Sequence, residues 1–255
     1  MNAMMPLLFK AWRESRGRFL LSVALLATIC AAGVIFRGSL MKVFVPNASF
    51  VGAPYVGYIY RLVYGGAARG LFTILVMVLA LGGLQRERLH RVVGFTLALP
   101  VSRARLAGAQ ALLGLGQVAA LSALPLIVLG VGSRLAHVSY PLEQMWRFGL
   151  LWLAGGVVFF AVAFLAATLF RSEYAALAVS FVFMIFYPVT VMFPPLSRYP
   201  LNLHHIMSGL AMPYFDARHA LLVGATPWVL LVSMMAVAGA LIVLAVQITR
   251  QRDYS

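Results

Sequence analysis

Negative charge and cysteine are both scarce in this sequence. The 255 residues include 6 acidic side chains against 20 basic ones, and only 10% of all residues are charged. A water-soluble domain of ordinary composition carries about a quarter charged residues, so this chain lacks the polar surface that such a domain needs. The only cysteine, Cys30, lies inside an apolar run, which excludes a disulfide framework and a cysteine-based metal site.

Apolar residues make up 63% of the chain and give it a mean hydropathy of +0.95. They form six runs, each long enough to cross ~30 Å of hydrocarbon as a helix. No segment alternates as a β-barrel strand does, and no hydrophilic stretch reaches the ~50 residues of a soluble domain. We therefore predict an all-α polytopic membrane protein, a single transmembrane domain over residues 1–255. Its six transmembrane helices are expected at Phe19–Phe36, Tyr64–Leu84, Leu106–Val131, Phe148–Phe170, Tyr174–Phe193 and Pro227–Ile248.

The basic residues indicate an orientation in the membrane. The net charge is +14, but the basic side chains stand at the ends of the apolar runs instead of sharing one polar face, which argues against nucleic acid as a partner. They are densest in segments that are cytoplasmic if both termini lie inside. We predict a multi-pass protein of the cell membrane with both termini cytoplasmic. Tryptophan placement favours the same orientation, with Trp12 at the inner interface and Trp146, Trp152 and Trp228 at the outer one.

Residues 1–18 have the pattern of an amphipathic helix. Their apolar residues recur at helical spacing and share one face, while basic residues point away. We predict an interfacial helix in the inner headgroup layer. A basic flank that only orients the first span is the alternative. The apolar face consists of Met5, Leu8, Phe9 and Trp12.

The segment 85–105, between the second and third runs, is the most specific part of the sequence. It begins with a charged, helix-compatible stretch that includes Glu87 and Arg88, continues through Gly94, and closes with Leu99-Pro-Val-Ser-Arg103. This pattern resembles the corresponding loop of the type-2 ABC transporter permeases, the drug and polysaccharide exporter family. The chain departs from that family's pattern after Gly94, where Phe-Thr-Leu follows and the usual acidic residue is missing.

Two further stretches resemble the same family. The segment Thr168-Leu-Phe-Arg-Ser-Glu-Tyr-Ala-Ala-Leu-Ala-Val-Ser180 is similar to its short inner turn between the fourth and fifth spans. The stretch Arg250-Gln-Arg-Asp-Tyr is similar to its basic, acidic and aromatic C-terminus. The resemblance extends over the whole chain in span count, loop lengths and the N-terminal helix.

The resemblance implies a function and a set of partners. In this family the loop between spans two and three docks on a separate ATP-binding subunit, and two permease chains, identical or different, form the pathway. We therefore expect Glu87, Arg88, Gly94, Pro100 and Arg103 to couple this chain to an ABC ATPase. No G-x-x-x-x-G-K-[ST] run occurs in the sequence, so ATP would be bound by the partner and the chain would need no cofactor of its own.

Polar residues within the spans are candidates for lining a pathway. Arg69 is expected inside the outer part of the second helix, because a span that starts after it would be only ~22 Å long. There it would either extend to the headgroups or face a polar cavity. Gln110 and Gln117 lie seven residues apart on one face of the third span, where they would line a pathway or bond a neighbouring helix.

The outer loop 194–226 precedes the last span and is rich in proline, which is compatible with a short re-entrant or interfacial helix pair. Its His204, His205, Asp216 and His219 include residue types that bind metals, although loop histidines are more often solvated. An ATP-independent transporter or channel of six spans is the alternative function, but the acidic residues that such coupling needs lie only in loops or at span ends. No His-x-x-x-His cluster or acid pair occurs in a span to suggest an enzyme.

Overall fold

The computed structural model describes residues 4–44, 54–81, 102–170, 172–194, 196–199, 201–211 and 215–251. Six helical segments in these ranges are long and apolar enough to cross a membrane, which confirms the predicted all-α polytopic fold. Their residues are Met5–Ile35, Pro54–Ala80, Ala104–Leu135, Leu142–Leu169, Glu173–Thr190 and Trp228–Gln251.

The helices are numbered in chain order. The first four are α1 (Met4–Ile35), α2 (Arg37–Phe44), α3 (Pro54–Ile59) and α4 (Ala67–Ala80). The long helices α5 (Arg103–Leu135), α6 (Leu142–Leu169) and α7 (Glu173–Thr190) follow. A short α8 (Leu203–Met207) and the last span α9 (Trp228–Gln251) complete the set.

Helix α1 runs without interruption from the predicted interfacial segment into the first span. Its 32 residues reach about 48 Å, well beyond the ~30 Å hydrocarbon layer. The sequence indicated a boundary near residue 18, but only Gly17 weakens the helix there, by about 1 kcal/mol relative to alanine. Packing of Leu7 on Leu106 and Ala109 of α5 holds the N-terminal turns in place. The apolar Met5, Phe9 and Trp12 remain exposed.

The second span is broken, and it begins ten residues earlier than the sequence predicted. A π-helical turn, Tyr60–Tyr64, follows α3, and Gly65 and Gly66 separate it from α4. A side chain at Gly66 would collide with the carbonyl oxygen of Arg61, so this close approach requires glycine. Part of the predicted outer loop 37–63 is therefore helical.

Helix α6 is the centre of the bundle. It packs against α4, α5, α7, α8 and α9. In its most apolar stretch of 18 residues 78% of the residues are buried, whereas the corresponding stretches of α7 and α9 are 11% and 22% buried. Trp152 of α6 is completely buried against Phe72, so its predicted place in an outer aromatic belt was wrong. The exposed apolar sides of α7 and α9 are the surfaces that lipid or another chain can cover.

In its described residues, the connection from α7 to α9 contains one short α-helix and a hairpin instead of the expected helix pair. A 3₁₀ turn, Leu196–Arg198, precedes α8, and β1 (Phe215–Asp216) pairs antiparallel with β2 (Leu221–Leu222). The Asp216 carboxylate accepts the backbone N–H groups of Arg218 and His219 at 2.8 and 3.3 Å. Such a bond favours a turn over a helix, which explains the hairpin.

The bundle has two distinct ends. At the loop end, Leu81 and Ser102 flank residues 82–101, and α1 and α9 carry their chain termini toward this end. At the opposite end, here named the cap end, α8 follows α7 in the chain and packs on α6. Leu81 packs with Ala166, Ala167 and Ala176, so the second, fourth and fifth spans meet at the loop end.

Candidate functional site

Four of the five predicted coupling residues lie outside the described residues, at Glu87, Arg88, Gly94 and Pro100. The fifth, Arg103, is the first residue of α5. The preceding Ser102 caps this helix, since its hydroxyl accepts the backbone N–H of Arg105 at 3.4 Å. The described residues therefore stop at Leu81, before the predicted coupling segment 85–105, and resume within it at Ser102.

A polar pocket lies at the loop end between α1 and α5. Its polar lining consists of Glu14, Ser15, Arg18, Gln110 and Gln117, around a cavity of about 40 Å³. Gln117 Nε2 donates to Ser15 Oγ at 2.8 Å, which is the bond to a neighbouring helix considered for it above. Both glutamines face one cavity, and this volume has room for ordered water.

Arg18 lines the polar pocket and also binds the end of the second span at Leu81. Its guanidinium donates to the carbonyl oxygens of Leu81 and Val78, the second at 3.3 Å. It also lies 3.6 Å from the carboxylate of Glu173 at the start of α7. The last carbonyls of a helix have no intrahelical partner and carry partial negative charge, so a cation binds there favourably. One side chain thus joins the first, second and fifth spans.

Arg69 lies inside the second span, in the first turn of α4, as the span-length argument predicted. Its Nη1 donates to the backbone carbonyl of His204 at 2.7 Å, and its Nε has no partner among the described residues. No carboxylate in the described part of the chain pairs with it. The four acids found there pair with other basic residues: Glu14 with Lys10, Glu143 with Arg147, Glu173 with Arg18, and Asp216 with His219.

Residues 201–208, here named the cap, are fastened to the bundle by side chains from two spans. Arg69 holds the carbonyl of His204, and the hydroxyl of Tyr60 donates to the carbonyl of Ser208 at 3.0 Å. The hydroxyl of Tyr187 on α7 donates to the carbonyl of Leu201. Hydrogen bonds to backbone atoms fix the path of a segment independently of its side chains, so this geometry seats the cap firmly.

The His204 side chain fills a gap created by a proline. Pro188 inside α7 has no N–H group and therefore leaves the carbonyl of Met184 without its helical partner. The imidazole of His204 lies beside that backbone and packs on Phe159 with ring centroids 5.3 Å apart. Burial and then the charge of Arg69 lower the pKa of His204, so the ring is neutral at pH 7.

An aromatic cluster lies beneath the cap between the second and fourth spans. Tyr64 stacks on Phe148 with centroids 4.4 Å apart and meets Trp152 edge-on at 5.8 Å. The hydroxyls of Tyr64 and Tyr140 and the indole nitrogen of Trp152 are buried without a partner among the described residues. The cap end thus contains polar atoms inside a largely aromatic interior.

The histidines of the segment 194–226 do not converge on a metal site. Asp216 Oδ2 lies 2.6 Å from His219 Nδ1, and this contact is the main cause that lowers the pKa of the Asp216 carboxyl. His204 is engaged with Met184 and Phe159 instead. Among the residues that the structure describes, no group of three His, Cys, Asp or Glu side chains is arranged to hold a metal ion.

The roles of Arg18, Tyr60 and His204 were not predictable from the sequence in the way that the position of Arg69 was. Arg18 was grouped with the basic residues that orient the first span, and Tyr60 was assigned to a loop. The one local signal for His204 was Pro188, because a proline within a predicted span frees a carbonyl that another group must satisfy.

No protein-family model matches this sequence, and no curated protein matches it. The functional argument therefore depends on the residues of the chain itself and on their arrangement.

Proposed function

We propose that this chain is the membrane subunit of an ATP-driven ABC exporter, which forms the translocation pathway and couples to a separate ATP-binding subunit through residues 85–105. The observation that supports this most is the position of Arg18. It contacts Leu81, four residues before the segment 85–105, and Glu173, which lies within 168–180. Two of the three stretches that resemble the type-2 ABC permeases thus lie at or near residues that contact Arg18.

Coupling in this proposal is mechanical. A partner that closes on ATP would push the coupling segment, and Leu81 would pass the displacement to Arg18 on α1 and from there to Glu173 on α7. Because packed helices move as rigid bodies, a shift at the loop end would tilt the spans and change access at the cap end. The nucleotide belongs to the ATPase, and a second permease chain, identical or different, completes the pathway.

The proposed function implies an orientation of the chain in the cell membrane. The coupling segment must face the compartment that contains ATP, so both termini are cytoplasmic and the cap lies on the opposite side of a cell membrane. The density of basic residues around the loop end is in keeping with this orientation.

An ATP-independent transporter is the second candidate, and Arg69 is the observation that favours it. A guanidinium inside a span without a carboxylate partner among the described residues is a typical position for a substrate-binding or relay charge. ATP dependence separates the two candidates. Export by this chain alone in vesicles without an ATPase would favour the second.

The test uses Glu87→Ala and Pro100→Ala. Both variants should insert normally, because removal of an acid leaves the basic residues that control insertion in place. Both should lose the ATPase subunit during purification from membranes, since truncation of one partner of a desolvated charge pair costs about 2–5 kcal/mol. Pro100 should matter because proline biases the preceding Leu99 away from the helical conformation, which would end the coupling helix before α5. Mass spectrometry of the co-purified proteins measures the association.

The matched control is Glu143→Ala, which removes an acid at the cap end that pairs only with Arg147 in its own helix. It should keep the ATPase subunit at the wild-type level. Full association and full export in both coupling-segment variants would remove the proposed docking role of residues 85–105.

A further inference from the structure

An apolar groove runs between the cap-end parts of α1 and α5, away from the polar pocket and the aromatic cluster. Its volume is about 660 Å³, within the range of ligand-sized cavities. Ala31 and Val34 form one wall, and Ile127, Val131 and Leu135 form the other. The two helices approach each other closely where Gly132 of α5 faces Val34 of α1, because glycine has no side chain to separate them.

Arg37 is the one basic residue among the described residues that line this groove. Arg37 follows the end of α1 and lines the cavity, and its Nη1 donates to the carbonyl of Ala136 at 2.8 Å. This bond anchors the guanidinium across the gap between the two helices. A guanidinium has five N–H donors in a planar fork that suits phosphate, so the anchored group can offer further donors to a ligand.

The surroundings of Arg37 favour a negatively charged group. Lys42 on α2 and Arg134 on α5 are exposed at the same end of the bundle. The four acids in the described part of the chain pair with other basic residues, as given above, so none of them pairs with Arg37. Ile35 and Leu135, 72% and 77% exposed, keep the groove open at its side.

We propose that this groove binds an anionic phospholipid, with one acyl chain along α1 and α5 and the phosphate on Arg37. The two chemical features of the groove match the two parts of such a lipid. An apolar channel open to hydrocarbon receives the chain, and Arg37 lies just past the end of a membrane span, at the depth of headgroups. This binding site does not depend on the proposed coupling to an ATPase.

Native mass spectrometry of the purified, delipidated chain tests the proposal, with phosphatidylglycerol and phosphatidylcholine as probes. The wild-type chain should retain one phosphatidylglycerol in preference to phosphatidylcholine. Arg37→Gln should weaken phosphatidylglycerol binding about tenfold and leave phosphatidylcholine unchanged, since it removes only charge-assisted bonds. Val131→Trp should prevent the binding of both lipids by filling the groove.

Two matched variants serve as controls. Lys42→Gln removes an exposed cation that does not line the groove, and Ile185→Trp adds an indole on the exposed side of α7. Ile185→Trp should leave lipid retention unchanged, and Lys42→Gln should weaken phosphatidylglycerol binding far less than Arg37→Gln does. An equal loss in Arg37→Gln and Lys42→Gln would show diffuse surface charge and overturn the site.

Two further outcomes would also overturn it. Undiminished binding in a folded Val131→Trp variant would exclude the groove. Conversion of a dimer to monomers by that variant, without any change in lipid, would identify a second copy of this chain as the occupant. If thermal unfolding shows that Val131→Trp is misfolded, Ile127→Trp fills the same groove from a neighbouring turn of α5.

Discussion

Arg69 and His204 act as one unit at the cap end, because the backbone of the second residue binds the guanidinium of the first. The 2.7 Å bond between them joins the second span to the cap, and the His204 ring extends the connection to Met184 on α7. A half-buried neutral imidazole beside a guanidinium is compatible with this arrangement, whereas an imidazolium there would be repelled. Protonation of the His204 ring would therefore weaken one of the contacts that hold the cap.

A pH dependence of stability follows from this pair. The folded-state pKa of His204 lies below its ordinary value of 6.5, so the stabilisation is complete above pH 6.5 and is lost as pH falls toward the folded pKa. We expect a lower thermal unfolding midpoint at pH 5.5 than at pH 7.5. His204→Gln, which stays neutral, should lose a large part of this difference, whereas His205→Gln on the exposed neighbour should retain it. An unchanged pH dependence in His204→Gln would contradict the assignment.

Single residues were predictable where a length or spacing rule constrained them. Arg69 had to lie inside a helix because the remaining run was too short, and the seven-residue spacing brought Gln110 and Gln117 to one cavity. Arg18 could not be predicted, since its hydrogen-bond partners are backbone carbonyls 60 and 63 positions along the chain. Trp152 was assigned to the interface by residue type alone, and core packing overrode that preference.

At the scale of helices, Arg18 holds the end of the second span to α1. Its two kinds of contact differ in strength. Hydrogen bonds from a charged donor to buried carbonyls are worth about 1.5–3 kcal/mol, whereas a partly exposed ion pair such as the one with Glu173 contributes about 0–1 kcal/mol. The carbonyls of Val78 and Leu81 should therefore dominate its role.

This difference makes a prediction about two substitutions. Arg18→Met keeps the length of the side chain and removes its donors, so it should lower the thermal unfolding midpoint clearly. Glu173→Gln removes only the ion pair and should have a small effect. Arg16→Met, at an exposed position two residues away on α1, is the matched control and should unfold like the wild type. Equal destabilisation by Arg18→Met and Glu173→Gln would show that the ion pair is the dominant contact.

Helix boundaries were less predictable than helix existence, and for physical reasons. The break in the second span depends on Gly66 meeting the Arg61 carbonyl, a contact that becomes apparent only when the chain is folded. The continuity of α1 depends on Leu7 packing on α5. The hairpin in the α7–α9 connection depends on one carboxylate at Asp216. Hydropathy detects burial in lipid over ~20 residues and cannot detect such single contacts.

At the scale of the whole molecule, the number of spans was predictable and the packing order was not. Each span can be recognised from its own apolar run, because a helix in lipid makes all of its backbone hydrogen bonds within one segment of the chain. The central position of α6 depends on the shape complementarity between its surface and those of the neighbouring helices. Its small residues provide one signal, because Gly155 and Gly156 allow Met207 of α8 and Phe72 of α4 to approach closely.

The topology of the whole chain gives the last prediction. Ser139, between the third and fourth spans, and Ser172, between the fourth and fifth, are both exposed and lie at opposite ends of the bundle. In a chain without its buried Cys30, a membrane-impermeant maleimide should label Ser139→Cys in intact cells and Ser172→Cys only after permeabilisation. Ser208 is completely buried beneath the cap, so a thiol there is unsuitable as a reporter. The reverse pattern would place residues 85–105 away from ATP and remove the proposed function. Labelling of both sites in intact cells would mean that α6 does not cross the membrane, which would contradict the six-span fold itself.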